Sequence, residues 1–372
     1  MSNLKVNTIN DASGGNNAVL YGPACPDNSM GFRNRIINGD MRIDQRNAGA
    51  IFNPPPNQGY SLDRWTTWLS QGTYSVQRNA GSVTPPAGFT NYLGVTVTSA
   101  TTIGVSDYFG VGQKIEGFNI ADLGWGTANA QAITISFWVR SSLTGNFGAV
   151  IRRGDGGQYY AFTYAISAAN TWEQKTVTIA GPTSGTWASD NSTGLFLLFG
   201  LGAGTNQTAS SNNTWVNGGV LGASGATPVV ATNGATFYIT GVQLEAGTVA
   251  TPFERRPYGT ELALCQRYYQ RLDTGPGTVF GFCTSTTSAE FNVKFTVEMR
   301  AGPSISYPSV SNFSCYTWSS GISRTPSSIG VNFSDTRKCV PTVAFSSSSS
   351  SAGLGIGLDG NSGAFLGFSA EL

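Results

Sequence analysis

Ile133-Thr134-Ile135-Ser136-Phe137-Trp138-Val139-Arg140 is the stretch that decides the fold class. Ile133, Ile135, Phe137 and Val139 alternate with Thr134, Ser136, Trp138 and Arg140, the two-residue period of a strand with one face in a core. Tyr160, Phe162, Tyr164 and Ile166 repeat the pattern with small residues between them. Val95-Thr96-Val97, Thr176-Val177-Thr178-Ile179 and Thr236-Phe237-Tyr238-Ile239 give shorter versions. The connections are turn material: Asn53-Pro54-Pro55-Pro56, Gly154-Asp155-Gly156-Gly157 and the Gly/Ser/Asn/Thr-rich run from Gly202 to Gly234. Strand, turn, strand over residues 36–258 predicts one large antiparallel jelly roll or β-sandwich.

Composition agrees with an all-β chain. Charged residues are 11% of the 372, against roughly 25% in ordinary soluble domains, and glycines number 48. The net charge of +1 gives no electrostatic case for nucleic acid or an anionic membrane. Arg33, Arg35, Arg42 and Arg46 are interleaved with Asp40 and Asp44 and read as ordinary salt bridging. The longest apolar run, Leu195 to Leu201, has the length of a strand, so no membrane insertion is expected. Met1-Ser2-Asn3-Leu4-Lys5 lacks the pattern of a signal peptide, which predicts folding in a cytoplasm. Five widely spaced cysteines read as buried thiols rather than as a disulfide scaffold.

Two further segments flank the jelly roll. Residues 1–35 read as an extended arm whose apolar anchors, Leu4, Val6 and Ile9, have no core of their own and must dock on a partner. Residues 259–372 read as a short linking helix plus a smaller C-terminal β-sandwich. Leu262, Cys265, Tyr269 and Leu272 fall at helical spacing from Thr260 to Leu272, with Thr260 placed to cap and Glu261 at the dipole's positive end. The second half of that segment is equally able to enter a strand. Beyond it, Phe291, Val293, Phe295, Val297 and Met299 alternate with polar residues, Ser346 to Ser351 form a loop, and Asp359-Gly360 is placed to centre a last hairpin.

Three groups of residues resemble tail-fibre and related virion proteins of marine and cyanobacterial phages. One is Leu4-Lys5-Val6-Asn7-Thr8-Ile9-Asn10-Asp11. Another is Arg35-Ile36-Ile37-Asn38-Gly39-Asp40-Met41-Arg42-Ile43 followed by Leu62-Asp63-Arg64-Trp65. The third is Gly241-Val242-Gln243-Leu244-Glu245-Ala246-Gly247 with Thr251-Pro252-Phe253-Glu254 and Glu261 to Tyr269. The resemblance covers most of residues 1–270. It implies a virion location, on a tail fibre more than on a head, a carbohydrate-binding-module-like jelly roll and a homotrimer. It also implies docking to other virion proteins through the arm. Asp40 and Glu245 lie near the two chain ends of the module, where such jelly rolls often hold a structural calcium on carboxylate and backbone oxygens; no other cofactor is expected.

The chain has no histidine, which removes Ser-His-Asp, Cys-His and His-metal chemistry together. A glycosidase needs two carboxylates about 5–10 Å apart, and nothing in the sequence pairs any two of Asp107, Glu116, Asp122, Asp155, Glu173 and Asp190. Sugar binding needs only exposed aromatic faces. Trp138, on the polar side of its strand, is the sharpest candidate, with Trp125, Trp187 and Trp215 in loop-like surroundings; for each, packing against a second sheet, a subunit or a sandwich end is the competing role. Trp65 and Trp172 are assigned to the fold. The expected function is attachment of a phage particle to a host surface glycan without catalysis. The rivals are an architectural adaptor or head-decorating protein, a polysaccharide depolymerase and, more distantly, a secreted host lectin.

Overall fold

A computed structural model describes residues 32–275, 279–317, 323–346, 351–361 and 363–372. The arm anchors Leu4, Val6 and Ile9 and the thiol of Cys25 lie outside the described residues. From Asn34 to Leu372 the chain forms one compact unit, all-β except for one α-helix and short 3-10 turns.

Twelve strands build two facing sheets: β1 (Asn57–Tyr60), β2 (Thr66–Leu69), β3 (Tyr74–Arg78), β4 (Leu93–Val97), β5 (Tyr108–Glu116), β6 (Ile133–Ser141), β7 (Gly145–Arg153), β8 (Gln158–Ile166), β9 (Glu173–Ile179), β10 (Thr193–Ala203), β11 (Trp215–Asn217) and β12 (Thr236–Ala246). The seven-stranded sheet runs β1-β2-β5-β10-β7-β8-β11 and the five-stranded sheet β3-β4-β12-β6-β9, with antiparallel pairing throughout. The alternating residues behave as their period dictates. Ile133, Ile135, Phe137 and Val139 meet Phe162, Tyr164 and Ile166 in one core that also takes Trp65. Strand β10, which holds the apolar run Leu195 to Leu201, is buried on both faces. Its outer side is covered by the Gly/Ser-rich segment after Gly202, where Ala209 and Ala223 pack on Val150 and Ala161, and Leu221 packs on Leu198.

The helix spans Tyr258–Gln266 and the chain then enters a strand at Tyr269–Asp273. The helical spacing out to Leu272 is therefore corrected to its alternative, because Gln270, Arg271 and Leu272 pair with Phe368, Gly367 and Leu366. Thr260 does not cap this helix; Pro257 stands at the cap, and Glu261 is buried.

The C-terminal strands form a three-stranded and an eight-stranded sheet around a second core that shares no residue with the first. The alternation from Phe291 to Met299 continues as strand only to Lys294. Beyond it the buried Gln270 side chain takes the place of a neighbouring strand, accepting from Thr296 N and donating to Val297 O. The hairpin centred on Asp359-Gly360 is also corrected. Gly355–Gly360 pairs with Val279–Cys283 and Phe313–Thr317, whereas Phe365–Ser369 pairs with Tyr269–Asp273 and Ser304–Ser306, so the chain changes sheet after Gly360. Cys265, Cys283, Cys315 and Cys339 are buried thiols outside any disulfide.

Between the two cores lies a joint made largely of residues 35–46, 62–65 and 261–271. Asn38 donates its backbone N–H to Glu261, while Trp65 Nε1 donates to Asn38 O at 3.0 Å. Asp63 accepts from Gln45 N at 2.7 Å. Arg64 lies over the Tyr268 ring, 3.5 Å from its centroid, and pairs with Glu371. Arg46 stacks on Tyr269 and pairs with the same carboxylate at 3.0 Å. Arg267 holds Glu116 by two bonds, at 3.0 and 2.9 Å. Of the interleaved charges, Arg42 pairs within the cluster, with Asp40, whereas Arg35 reaches Asp122, Arg46 reaches Glu371 and Asp44 meets Arg78.

Candidate functional site

Of the four candidate tryptophans, three come together. Trp125, Trp187 and Trp215 meet edge to face with centroids 4.7, 5.5 and 5.7 Å apart, and Tyr160 adds its ring to Trp215. Trp125 donates Nε1–H to Gln131 O and Trp215 to Ala180 O. All three pack on the main core. Trp125 is buried and Trp187 and Trp215 are half-buried against it and the main core, so the triad serves packing. A cleft of about 320 Å³ beside it is lined by Arg153, Asp155, Thr186, Ser192 and Thr193. Trp172 is also a packing residue, set on Tyr92 with its N–H donated to Thr84 O.

Trp138 stands apart on the outer face of the five-stranded sheet. Its partners across the sheet are Thr240 on β12 and Gln174 on β9. Trp138 is half-buried, Gln174 and Thr176 beside it are exposed, and the Trp138 indole N–H has no partner among the described residues. A local irregularity shapes the surface. The β6–β12 register shifts between Thr240 and Gln243, and Gly241 there adopts φ +61°. This bulge frees Val242 N to bond Gly39 O at 2.9 Å. It also leaves a place with no side chain: a Cβ on Gly241 would lie 2.6 Å from Phe89 and 3.2 Å from Trp138. Both rings therefore share the floor that Gly241 provides. Phe253 meets Phe89 edge to face, and the exposed Arg255 guanidinium lies 4.7 Å from the Phe89 centroid. Aromatic faces bordered by exposed amide, hydroxyl and guanidinium donors are the chemistry that saccharides require.

The two calcium candidates are held by protein groups. Asp40 pairs with Arg42, and Glu245 accepts from Thr251 N, Thr251 Oγ1 and Gln243. No group of three or more His, Cys, Asp or Glu side chains is placed to hold a metal among the described residues. The six candidate acids are engaged separately: Asp107 with Gly104 N, Glu116 with Arg267, Asp122 with Arg35, Asp155 with Arg153, Glu173 with Lys175 and Asp190 with Ser192. Burial pushes the carboxyls of Asp40 and Asp63 upward, but both are enclosed, against Arg42 and Gln45.

One aromatic patch was not anticipated. On the outer face of the seven-stranded sheet Trp68 packs on Phe196 and Tyr108, with the Lys114 ammonium 5.3 Å from the indole centroid. Its sequence signal is the two-residue period itself, since Thr66 and Trp68 share a face. No helix among the described residues is long and apolar enough to cross a membrane.

No family model and no curated protein matches the chain. Among solved structures, it is similar to the enzymatically active domain of tailspike protein 4 of bacteriophage CBA120 at 12% identity and a TM-score of 0.31, over 57% of this chain and 21% of that one. The chain thus spans about a fifth of the length of that domain. A family 4 carbohydrate-binding module is similar at 17% identity and a TM-score of 0.28, over 56% of this chain and 98% of the module. A family 11 module from Clostridium thermocellum, in complex with a mixed-linked tetrasaccharide, is similar at 15% identity and a TM-score of 0.26, over 55% and 99%. None of these likenesses places the chain in a family.

Proposed function

We propose that this protein is a non-catalytic attachment component of a phage particle, of tail-fibre type, that contacts a host surface glycan through the Trp138 face of its jelly roll. The observation that carries the reading is the half-exposed Trp138 with an unbonded N–H, set beside exposed Gln174 and Thr176 and across Gly241 from Phe89. The resemblance of residues 35–43, 62–65 and 261–269 to phage fibre proteins supports the particle assignment, and these segments meet at the joint between the cores. Low charge supports a trimer, since surface buried between subunits is depleted of charged residues. In this reading the arm with Leu4, Val6 and Ile9 docks on the particle.

The test uses the full chain: retention on a panel of bacterial surface polysaccharides, with oligomeric mass measured by light scattering. Trp138→Ala should lower glycan affinity about five- to thirtyfold, because a half-buried stacking ring supplies about 1–2 kcal/mol, while the trimer mass persists. Saturable wild-type binding that Trp138→Ala leaves intact would remove the assigned face. No binding by an intact oligomer would favour the adaptor reading, and release of reducing ends would favour a depolymerase.

A further inference from the structure

The outer face of the eight-stranded C-terminal sheet joins exposed aromatic rings to a pair of opposed cations. Phe280 and Phe282 are 57% and 54% exposed, because Val279 and Cys283 on either side of them turn into the core. Their partners on the adjoining strand are Gly357 and Gly355, so the rings stand beside bare backbone. Phe333, on Ser328–Ser334, is 48% exposed. At one margin Lys294 lies directly opposite Lys338. The preceding pair, Val293 and Cys339, is buried, so both lysine side chains leave on the outer face. Directly opposed residues have Cβ atoms about 5 Å apart, and like charges so placed repel.

Lys294 and Lys338 line a cleft of about 470 Å³ with Phe295, Arg337 and Glu298. Glu298 is already occupied by Arg337 at 3.5 Å and Thr336 Oγ1 at 2.7 Å. Asp335 accepts the backbone N–H groups of Arg337 and Lys338, and Glu290 accepts from Asn332. Neither lysine has an ion-pair partner among the described residues. The Lys338 ammonium lies 5.3 Å from the Phe333 centroid. The face thus carries Lys294, Lys338 and Arg337 beside the Phe333 ring, with Glu298 and Asp335 at their margin, and Glu290 directly opposite Phe282 on the neighbouring strand.

We infer that this face binds an acidic polysaccharide, with an anionic group of the sugar seated between Lys294 and Lys338 and its rings lying toward Phe333 and Phe282. A single cationic point beside exposed rings suits a polymer with widely spaced charges. Glu298 in the cleft is paired with Arg337, which leaves the lysine charge for a single anion, whereas a dense row of phosphates would run on to meet Asp335 and Glu290. The site is separate from the Trp138 surface and stands without it.

The experiment is affinity electrophoresis of the full-length protein in gels holding alginate, dextran sulfate, neutral dextran or single-stranded DNA. Alginate and dextran sulfate separate carboxylate from sulfate recognition. Wild type should be retarded by at least one acidic polysaccharide and not by dextran. Lys294→Gln with Lys338→Gln should weaken that retardation tenfold or more, Phe282→Ser should weaken it as well, and Trp138→Ala should leave it unchanged. The double lysine variant should melt no lower than wild type, because it removes a repulsion, so lost binding is not lost folding. The inference is overturned by unchanged retardation of the double variant or by no retardation on either acidic polysaccharide. It is equally overturned by retardation on DNA matching that on the sugars with Phe282→Ser without effect. If Trp138→Ala abolishes retardation while the lysine variant does not, this site falls and the jelly-roll reading stands.

Discussion

Arg64 offers a sharp test of how the joint works, because its side chain and its backbone make separable contributions. The residue is 1% exposed and adopts φ +69°, a left-handed conformation that costs a non-glycine residue roughly 1–2 kcal/mol. Its guanidinium pairs with Glu371 and lies on Tyr268. Removing one partner of a buried ion pair costs about 3–5 kcal/mol. Here Arg46 still holds Glu371 at 3.0 Å, which places the expected loss for Arg64→Ala near the lower end, about 3 kcal/mol. Arg64→Gly loses the same contacts but relieves the backbone, so it should be less destabilised by about 1 kcal/mol. Glu371→Gln closes a double-mutant cycle, with an expected coupling of about 1–3 kcal/mol. The assay is equilibrium urea unfolding followed by tryptophan fluorescence and circular dichroism. A loss below about 1 kcal/mol in Arg64→Ala, or a glycine variant no more stable than the alanine one, would refute the reasoning.

Three further outcomes are expected. Asp63 is raised to about 6, by burial first and against the pull of Arg46. Its protonated form is therefore the one the fold favours: the contribution is present below pH 4, is lost as pH rises through about 6, and amounts to at most about 3 kcal/mol. Asp63→Asn should flatten the pH dependence of urea stability between pH 4 and 6, and an unchanged slope would count against the burial account. Gly39→Ala would place a Cβ 2.2 Å from Val242 O in the joint, and should lower stability by about 1–3 kcal/mol in the same urea titration. Trp215→Ala should lower the melting temperature through a loss of about 2–4 kcal/mol while leaving glycan retention intact; a loss of retention would return the triad to the binding surface.

Much of the fold was legible because a strand's two-residue period is local. The sequence around Ile133, Tyr160 and Thr236 places side chains on alternate faces whatever lies elsewhere in the chain. The limits of that reading also have a local look and a distant cause. Met299 is in phase with Phe291, yet the strand stops at Lys294 because Gln270 competes for the backbone. Asp359-Gly360 has turn chemistry, yet the strands around it are claimed by different sheets. The candidate site was legible only as a set of residue types. Trp138 and Trp215 both looked like exposed rings, and the difference between them is what covers each one.

The sequence by itself determined the all-β class, the main strands, the buried thiols of Cys265, Cys283, Cys315 and Cys339, and the loss of every histidine-dependent chemistry. These follow from period, composition and absence, which need no knowledge of neighbours. Tertiary structure alone decided that Trp125, Trp187 and Trp215 pack together, that Lys294 stands opposite Lys338, and that Arg64 meets a carboxylate 307 residues away. Those facts depend on register, bulges and chain crossings, which bring together residues whose order along the chain carries no trace of the meeting.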